Sequence, residues 1–207
     1  MARELTDQER DSVIEYFRTN LFETLQAYTA WKMLWDAKKI GIVPEQMTHK
    51  YVSILNIHHN AFAIFEHASA FMWVTMLLHA FDSDHRAMSL LKIDADAMAA
   101  LKEEYSSELE KLKTQRDQFF SHRDIDATLP QLPSIERTDE LMRDLQGLYN
   151  KITKAHDSSS TIFNQDDMKH DIENMYWNIE RGENIRQKEI EVKWKYRESG
   201  SLISDII

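Results

Sequence analysis

Residues that turn or end a helix are scarce in this chain. Only four glycines and three prolines occur among its 207 residues. An all-β fold needs turn chemistry at the end of almost every strand, and these two residues supply much of it. Long helices joined by short connections need far fewer of them. The sequence therefore predicts an all-α fold, which we expect to be an elongated bundle of about five helices.

Capping signals and apolar spacing place the first two helices. Thr6 and Glu9 have the spacing of a capping box, which predicts a helix from Thr6 to about Lys39. Pro44 suits the first turn of a second helix, which should continue to about His79. The middle of this second helix is apolar on nearly all sides, so we expect it to be buried at the centre of the domain.

Three more helices are expected further along the chain. Asp94 can cap a third helix that runs from about residue 95 to residue 121, and Ser134 can cap a fourth that ends near His156. A polar fifth helix with a thin apolar stripe is expected over residues 166–197. We therefore expect residues 1–157 to form one helical domain. Residues 158–207 should form a C-terminal helical extension that packs on this domain or on a partner.

Composition also limits the possible functions. The absence of cysteine excludes disulfides, zinc ribbons and thiol catalysis. A net charge of −10 counts against a general nucleic-acid binder, because phosphate contacts need basic residues, but it leaves room for a small basic pocket.

The most apolar window, Ala61–Phe81, contains Glu66, His67 and His79, which are costly inside a bilayer. Since the N-terminal residues also lack the apolar core of a secretion signal, we expect a cytoplasmic protein without membrane contact.

The most informative motif lies at the end of the third predicted helix, where residues 116–122 read Arg-Asp-Gln-Phe-Phe-Ser-His. Arginine is a permanent cation whose planar fork of donors suits phosphate. Histidine gains or loses a proton near neutral pH. The pair suits cleavage of a phosphodiester by a neighbouring ribose 2′-hydroxyl, with His122 as base or acid and Arg116 stabilising the negative oxygens. This chemistry needs no metal and no other cofactor.

The neighbours of the pair can assist it. Asp117 or Asp124 can orient the arginine or the histidine, and Arg123 can hold a flanking phosphate of the substrate. On a regular helix, however, six steps leave Arg116 and His122 about 120° apart. Two arrangements can bring them to one phosphate. Either the helix unwinds near residue 121, or two copies of the chain form a symmetric homodimer with a cleft on its axis.

The stretch RDQFFSHRD resembles the motif of the HEPN superfamily, in which an arginine is followed by four to six residues and a histidine. The superfamily consists of small α-helical domains, many of them metal-independent ribonucleases of toxin and phage-defence systems. The His-x-Asp pattern at residues 122–124 and the segment FDSDHRAMSLLKI look most like the abortive-infection branch of AbiU type. The likeness in layout covers about residues 5–156.

The resemblance implies an HEPN-like fold and an endoribonuclease that acts on RNA as a homodimer. It makes Arg116 and His122 catalytic and Asp117 a supporting residue, and it implies an antitoxin or other regulatory protein as a further partner. One subgroup of HEPN toxins has a tyrosine two residues after the histidine, which the antitoxin modifies. Asp124 stands at that position here, so the resemblance does not extend to that form of control.

Two other functions remain open from the sequence. A non-catalytic HEPN-like module that binds RNA, nucleotide or protein would agree with the acidic charge and with the thin apolar stripe of the last helix. A metal-binding bundle would need inward carboxylates and Glu-x-x-His pairs. The nearest matches, at residues 82–85 and 167–170, carry no glutamate, so no metal site is expected.

Overall fold

The computed structural model describes residues 5–39, 45–84, 88–121 and 133–198, and these residues form helices and connections without any strand. The α-helices are α1 (Asp7–Asp36), α2 (Glu45–Ile57), α3 (His59–Ala80), α4 (Ala95–Glu104), α5 (Ser106–Gln115), α6 (Ile135–Asp157) and α7 (Asp166–Glu198). A 3₁₀ turn, Leu90–Lys92, precedes α4, and a π-helical turn, Arg116–Ser121, directly follows α5. The all-α prediction is confirmed, with seven α-helices in the described residues instead of about five.

The helix starts that the sequence predicts are present. Thr6 accepts a hydrogen bond from the backbone N–H of Glu9, and its own N–H donates to the Glu9 carboxylate at 2.9 Å, which completes the capping box of α1. Asp94 and Ser134 each accept a hydrogen bond from the backbone N–H three residues further on. These local contacts satisfy N–H groups that have no partner inside the helix, so α1, α4 and α6 begin where expected.

The prediction of one continuous second helix is wrong. The chain leaves helical geometry at His58, with φ −113° and ψ 31°, and this separates α2 from α3. Backbone hydrogen bonds continue on both sides of the break, because the His58 N–H donates to Ile54 and the Phe62 N–H donates to His58. The His58 ring lies 3.3 Å from the Glu183 carboxylate on α7. The break therefore lies at a tertiary contact and not at a helix-breaking residue.

The third predicted helix is also interrupted, at Tyr105 between α4 and α5, where φ is −105° and ψ is 22°. Tyr105 is 1% exposed, and its hydroxyl donates to Asp144 on α6 at 2.7 Å. The guanidinium of Arg137 lies 4.5 Å from the centre of the Tyr105 ring. As at His58, the irregular backbone occurs where a side chain is held by another helix.

The main core lies where α1, α3, α5 and α6 meet. Its most completely buried members include Phe17, Leu21, Trp73, Leu77, Leu112, Leu141, Leu145 and Tyr149. A second apolar cluster attaches the first half of α7, through Ile172 and Tyr176, to residues of α1, α2 and α3. The Tyr176 ring lies parallel to Phe62 of α3, with 5.7 Å between the ring centres. The first half of α7 thus packs on α1, α2 and α3.

Helix α3 is not buried on all sides, which corrects the expectation from its composition. One face supplies Trp73, Val74 and Leu77 to the main core, each at most 2% exposed. On the opposite face, Ile64 is 71% exposed. In length and composition α3 could cross a membrane, and no other helix in the described ranges meets both criteria. Its residues in the main core nevertheless tie it to α1, α5 and α6.

Candidate active-site cleft

A change in helix winding positions Arg116. Helix α5 ends at Gln115, and the wider π-helical turn begins at Arg116 and continues to Ser121. Such turns are rare, occur mostly as single turns and are frequent at functional sites. The angle of about 120° expected between Arg116 and His122 assumes regular α-helical winding, so it does not hold across this turn.

The Arg116 side chain is partly exposed and only partly engaged. Its Nε donates a hydrogen bond to Oδ1 of Asp117 at 2.7 Å, and the two side chains are 30% and 47% exposed. In the parts of the chain that the structure describes, the terminal nitrogens of Arg116 make no further hydrogen bond. Asp117 therefore orients the guanidinium from one side and leaves its outer donors for an anion.

Arg116 lies in a cleft of about 480 Å³ between the C-terminal end of α3 and the outer side of α4 and α5. The residues that line it are Leu78, Phe81, Asp82, Ser83, Lys102, Ser106, Leu109, Glu110, Lys113 and Arg116. Three of these are cations and two are carboxylates, so the described lining carries a formal charge of +1. With Asp117, which is paired to Arg116, the formal charge here is zero, so the cleft is less acidic than a chain of net charge −10 is on average.

The walls of the cleft differ in character. Leu78 and Phe81 at the end of α3 and Leu109 on α5 are each less than 10% exposed, and they form the apolar side. An apolar wall lowers the local dielectric constant, which strengthens the attraction between a guanidinium and a phosphate. It also offers a surface on which a flat base can pack.

The predicted site residues are only partly placed by the structure. Arg116 lines the cleft and contacts Asp117. His122, Arg123 and Asp124 lie outside the described residues. In sequence, His122 directly follows the last residue of the π-helical turn. The meeting of the arginine with the histidine therefore stays a prediction.

Two lysines of the cleft did not emerge from the sequence reasoning. Lys102 and Lys113 line it together with Arg116. Eleven residues, about three helical turns, separate the two lysines, and three residues, a little less than one turn, separate Lys113 from Arg116. Glutamates lie among these lysines in the sequence, a pattern that is typical of a solvated helix face. The signal that could have found them is this spacing, counted backward from Arg116.

A second cleft, of about 470 Å³, lies between α1, α6 and the start of α7. Within it, the Tyr28 hydroxyl donates to Asp139 at 2.8 Å, and the Lys32 ammonium lies 2.6 Å from the other carboxylate oxygen. Burial, and then the bond to Asp139, raise the pKa of the Tyr28 phenol. Because each of these three groups already has a partner, we assign them to the attachment of α1 to α6.

Metal ligands are not grouped in the described part of the chain. No set of three or more histidine, aspartate and glutamate side chains there is placed to hold a metal ion. The partly exposed His58 is instead paired with Glu183, and His156 with Asp11.

No protein-family model, curated protein or solved structure matches this chain. The functional conclusion therefore depends on the chemistry of the cleft and on the motif that borders it.

Proposed function

We propose that the protein is a metal-independent endoribonuclease of a toxin or phage-defence type, with an Arg/His site completed at a homodimer cleft. The observation that carries the proposal is the placement of Arg116. Its guanidinium is held by Asp117 and lies in a cleft with Lys102 and Lys113, and Arg116 begins the π-helical turn that directly precedes His122 in sequence. The resemblance of residues 116–124 to the HEPN motif supports the same function.

In the proposed reaction, the ribose 2′-oxygen attacks the adjacent phosphorus while its proton passes to a base. The bond from phosphorus to the 5′-oxygen breaks, and that oxygen receives a proton from an acid. His122 supplies one or both of these proton transfers, since its ordinary pKa lies near neutrality. The products are a 2′,3′-cyclic phosphate and a 5′-hydroxyl.

Arg116 has a separate task in this scheme. The phosphoryl oxygens gain negative charge as the 2′-oxygen attacks, and the outer nitrogens of a fixed guanidinium stabilise that charge. Asp117 fixes the guanidinium through Nε. Lys102 and Lys113 in the cleft, with Arg123, bind neighbouring phosphates, and Asp124 orients the histidine.

The experiment is cleavage of a fluorescent RNA in the presence of EDTA. We expect His122→Ala to slow cleavage by about 100- to 10,000-fold and Arg116→Ala by about 100- to 1,000-fold. His170→Ala and Arg18→Ala, which change exposed residues on α7 and α1, serve as matched controls and should leave the rate unchanged. Circular dichroism verifies that the variants keep their helix content. Cleavage that requires added metal, or that persists in His122→Ala, would contradict the proposal.

A specific observation favours a second candidate, a non-catalytic HEPN-like module that binds another protein, RNA or nucleotide. From Trp177 onward, α7 exposes Trp177, Ile185, Val192 and Trp194, each by about half or more of its surface. Exposed tryptophans are typical of interaction sites. For such a module, His122→Ala would leave function unchanged, whereas Trp177→Ala would weaken partner binding.

A further inference from the structure

A small pocket lies where the start of α1, the segment before α4 and the end of α6 meet. We call it the Arg10 pocket. Its polar lining is Arg10, Asp94, Lys151 and His156, and its apolar lining includes Ile93 and Ile152. The volume is about 190 Å³, below the roughly 300–1,000 Å³ of a typical pocket for a drug-sized ligand. The pocket therefore suits a small group. Among the described residues it shares no lining residue with the cleft that contains Arg116.

Arg10 has a buried nitrogen without a partner. Its Nε is buried, and no group in the described ranges accepts a hydrogen bond from it. The guanidinium also forms no ion pair with any residue that the structure describes. A buried donor of a charged group that lacks an acceptor lowers stability, so such a group needs an explanation in a native structure. A bound anion is the explanation that the rest of the pocket supports.

Lys151 supplies a second cation that has no ion-pair partner in the described part of the chain. It comes from α6, whereas Arg10 comes from α1. His156, on the same helix as Lys151, is already paired, since its Nε2 lies 2.6 Å from the Asp11 carboxylate. Two cations from different helices therefore line one small volume. Charge-assisted hydrogen bonds from arginine and lysine are the strong ones for an oxyanion.

Asp94 determines which anion fits. Its Oδ1 accepts a hydrogen bond from the backbone N–H of Ala97 at 3.0 Å, and its Oδ2 can accept another. Together with Asp11, Asp94 balances the formal charges of Arg10 and Lys151, so net charge alone does not select an anion. An anion that carries a proton satisfies both kinds of group. It donates to Oδ2 of Asp94, and its other oxygens accept from the two cations.

Inorganic phosphate is an oxyanion with this property. Near neutral pH it keeps at least one proton, whereas sulfate and carboxylates have none to donate. A phosphate monoester loses its second proton with a pKa of about 6, so it also has little to donate. We propose that the Arg10 pocket binds inorganic phosphate, with Arg10 and Lys151 donating to its oxygens and Asp94 accepting its proton.

The bound ion joins three parts of the fold. Arg10 lies on α1, Lys151 lies on α6, and Asp94 caps the start of α4. A ligand that binds the folded chain and not the unfolded chain raises stability as its concentration rises above its Kd. The inference goes beyond the proposed function, because phosphate here is a ligand that connects helices and not a substrate.

The first test is calorimetric titration of the full chain with sodium phosphate near neutral pH, with chloride keeping the ionic strength constant. We expect one phosphate per chain, and sulfate should bind about tenfold more weakly or worse. At about 100 times its Kd, phosphate should raise the midpoint temperature of unfolding by about 5–10 °C. Absence of binding at millimolar phosphate would overturn the proposal. Equal affinity for sulfate would also overturn it, because it would mean an adventitious ion only.

The second test removes the two donors. Arg10→Met and Lys151→Met should each weaken phosphate binding by about 10- to 100-fold. Arg18→Met and Lys154→Met are the matched controls, since they change exposed cations of the same two helices outside the pocket, and they should bind phosphate normally. Undiminished binding in Lys151→Met, whose exposed side chain is not needed for folding, would contradict the proposal.

The stability of Arg10→Met separates a ligand-binding role from a structural one. In phosphate-free buffer this variant should be at least as stable as the wild-type protein, because it removes the buried nitrogen that lacks an acceptor. With phosphate in excess, the wild-type protein should be the more stable of the two. Lower stability of the variant in both buffers, by the same amount, would assign Arg10 a structural role and contradict the proposal.

Asp94→Asn tests the selection of the anion. Asparagine also caps helices, so α4 keeps its start, but its amide donates to sulfate as well as to phosphate. We expect the preference for phosphate over sulfate to fall about tenfold. An unchanged preference would contradict the role of Asp94 as acceptor of the phosphate proton.

A last variant separates the Arg10 pocket from the proposed active site. Arg116→Ala should bind phosphate as tightly as the wild-type protein does. If this variant loses the ion, phosphate binds in the other cleft and the inference is wrong. RNA cleavage in phosphate-free buffer tests the proposed function alone, so either proposal can fail without the other.

Discussion

At the scale of single residues, Tyr105 connects three helices. It interrupts the helix between α4 and α5, is almost completely buried, and donates a hydrogen bond to Asp144 on α6. Burial and the bond to Asp144 raise the pKa of the phenol to about 12. The folded state therefore favours the neutral side chain more strongly than the unfolded state does.

The sign of the resulting pH effect follows from linkage between protonation and folding. The unfolded phenol ionises near pH 10, so the stability that Tyr105 contributes is complete below about pH 10 and is lost as the pH rises toward 12. We expect Tyr105→Phe to make the alkaline fall in the free energy of unfolding less steep in this window. Urea denaturation of the wild-type protein and the variant at a series of pH values measures this dependence of the free energy of unfolding on pH. An unchanged slope would show that the phenol ionises equally in both states.

The residues of the cleft show what the sequence could and could not predict at this scale. Arg116 and Asp117 were predicted from their chemistry, and the structure places Arg116 in a cleft. Lys102 and Lys113 were missed, because lysines that alternate with glutamates are typical of a solvated helix face. Their spacing from Arg116 places them on one side of a helix, but they become part of a site only when the end of α3 packs beside α4 and α5, and that packing is not encoded locally.

At the scale of elements, the starts of helices were predictable and their interruptions were not. Thr6, Asp94 and Ser134 cap helices through contacts within three residues, so the local sequence is sufficient. The breaks at His58 and Tyr105 contain neither glycine nor proline. They lie where side chains contact Glu183 and Asp144, which are distant in sequence. Two predicted helices are thus divided into four, and each break coincides with a contact to a distant part of the chain.

Two glycines inside exposed helical turns offer a test of local helix energetics. A Cβ added at Gly147 in α6 or at Gly182 in α7 would meet no atom within 4 Å. Alanine restricts the unfolded backbone more than glycine does, so Gly147→Ala and Gly182→Ala should each raise the free energy of unfolding by about 0.5–1 kcal/mol. The reverse change at an exposed position of α6, Ala155→Gly, should lower it by a similar amount. Thermal and urea denaturation give both values, and a loss of stability in either alanine variant would contradict the expectation.

At the scale of the whole molecule, the apolar character of α3 has two different origins. Its inner face fills the main core, and its outer face is exposed on the single chain. The apolar periodicity of the sequence could not distinguish the two faces. A helix that is apolar on all sides is expected to be buried, but its sequence does not show which elements cover each face. Only the packing of the other helices shows that one face has no partner within the described residues of its own chain.

Helix α7 is attached to the rest of the molecule mainly through its first half. The side chains of its second half are largely exposed. Ile172 is 3% exposed in the second apolar cluster, whereas Ile185, on the same helix, is 52% exposed. Removal of a buried isoleucine side chain leaves a cavity, so Ile172→Ala should lower the free energy of unfolding by about 2–4 kcal/mol. Ile185→Ala should change it by no more than about 0.5 kcal/mol. Because the two variants delete the same atoms from one helix, equal losses in urea denaturation would mean that α7 is not held to the rest of the molecule through its first half.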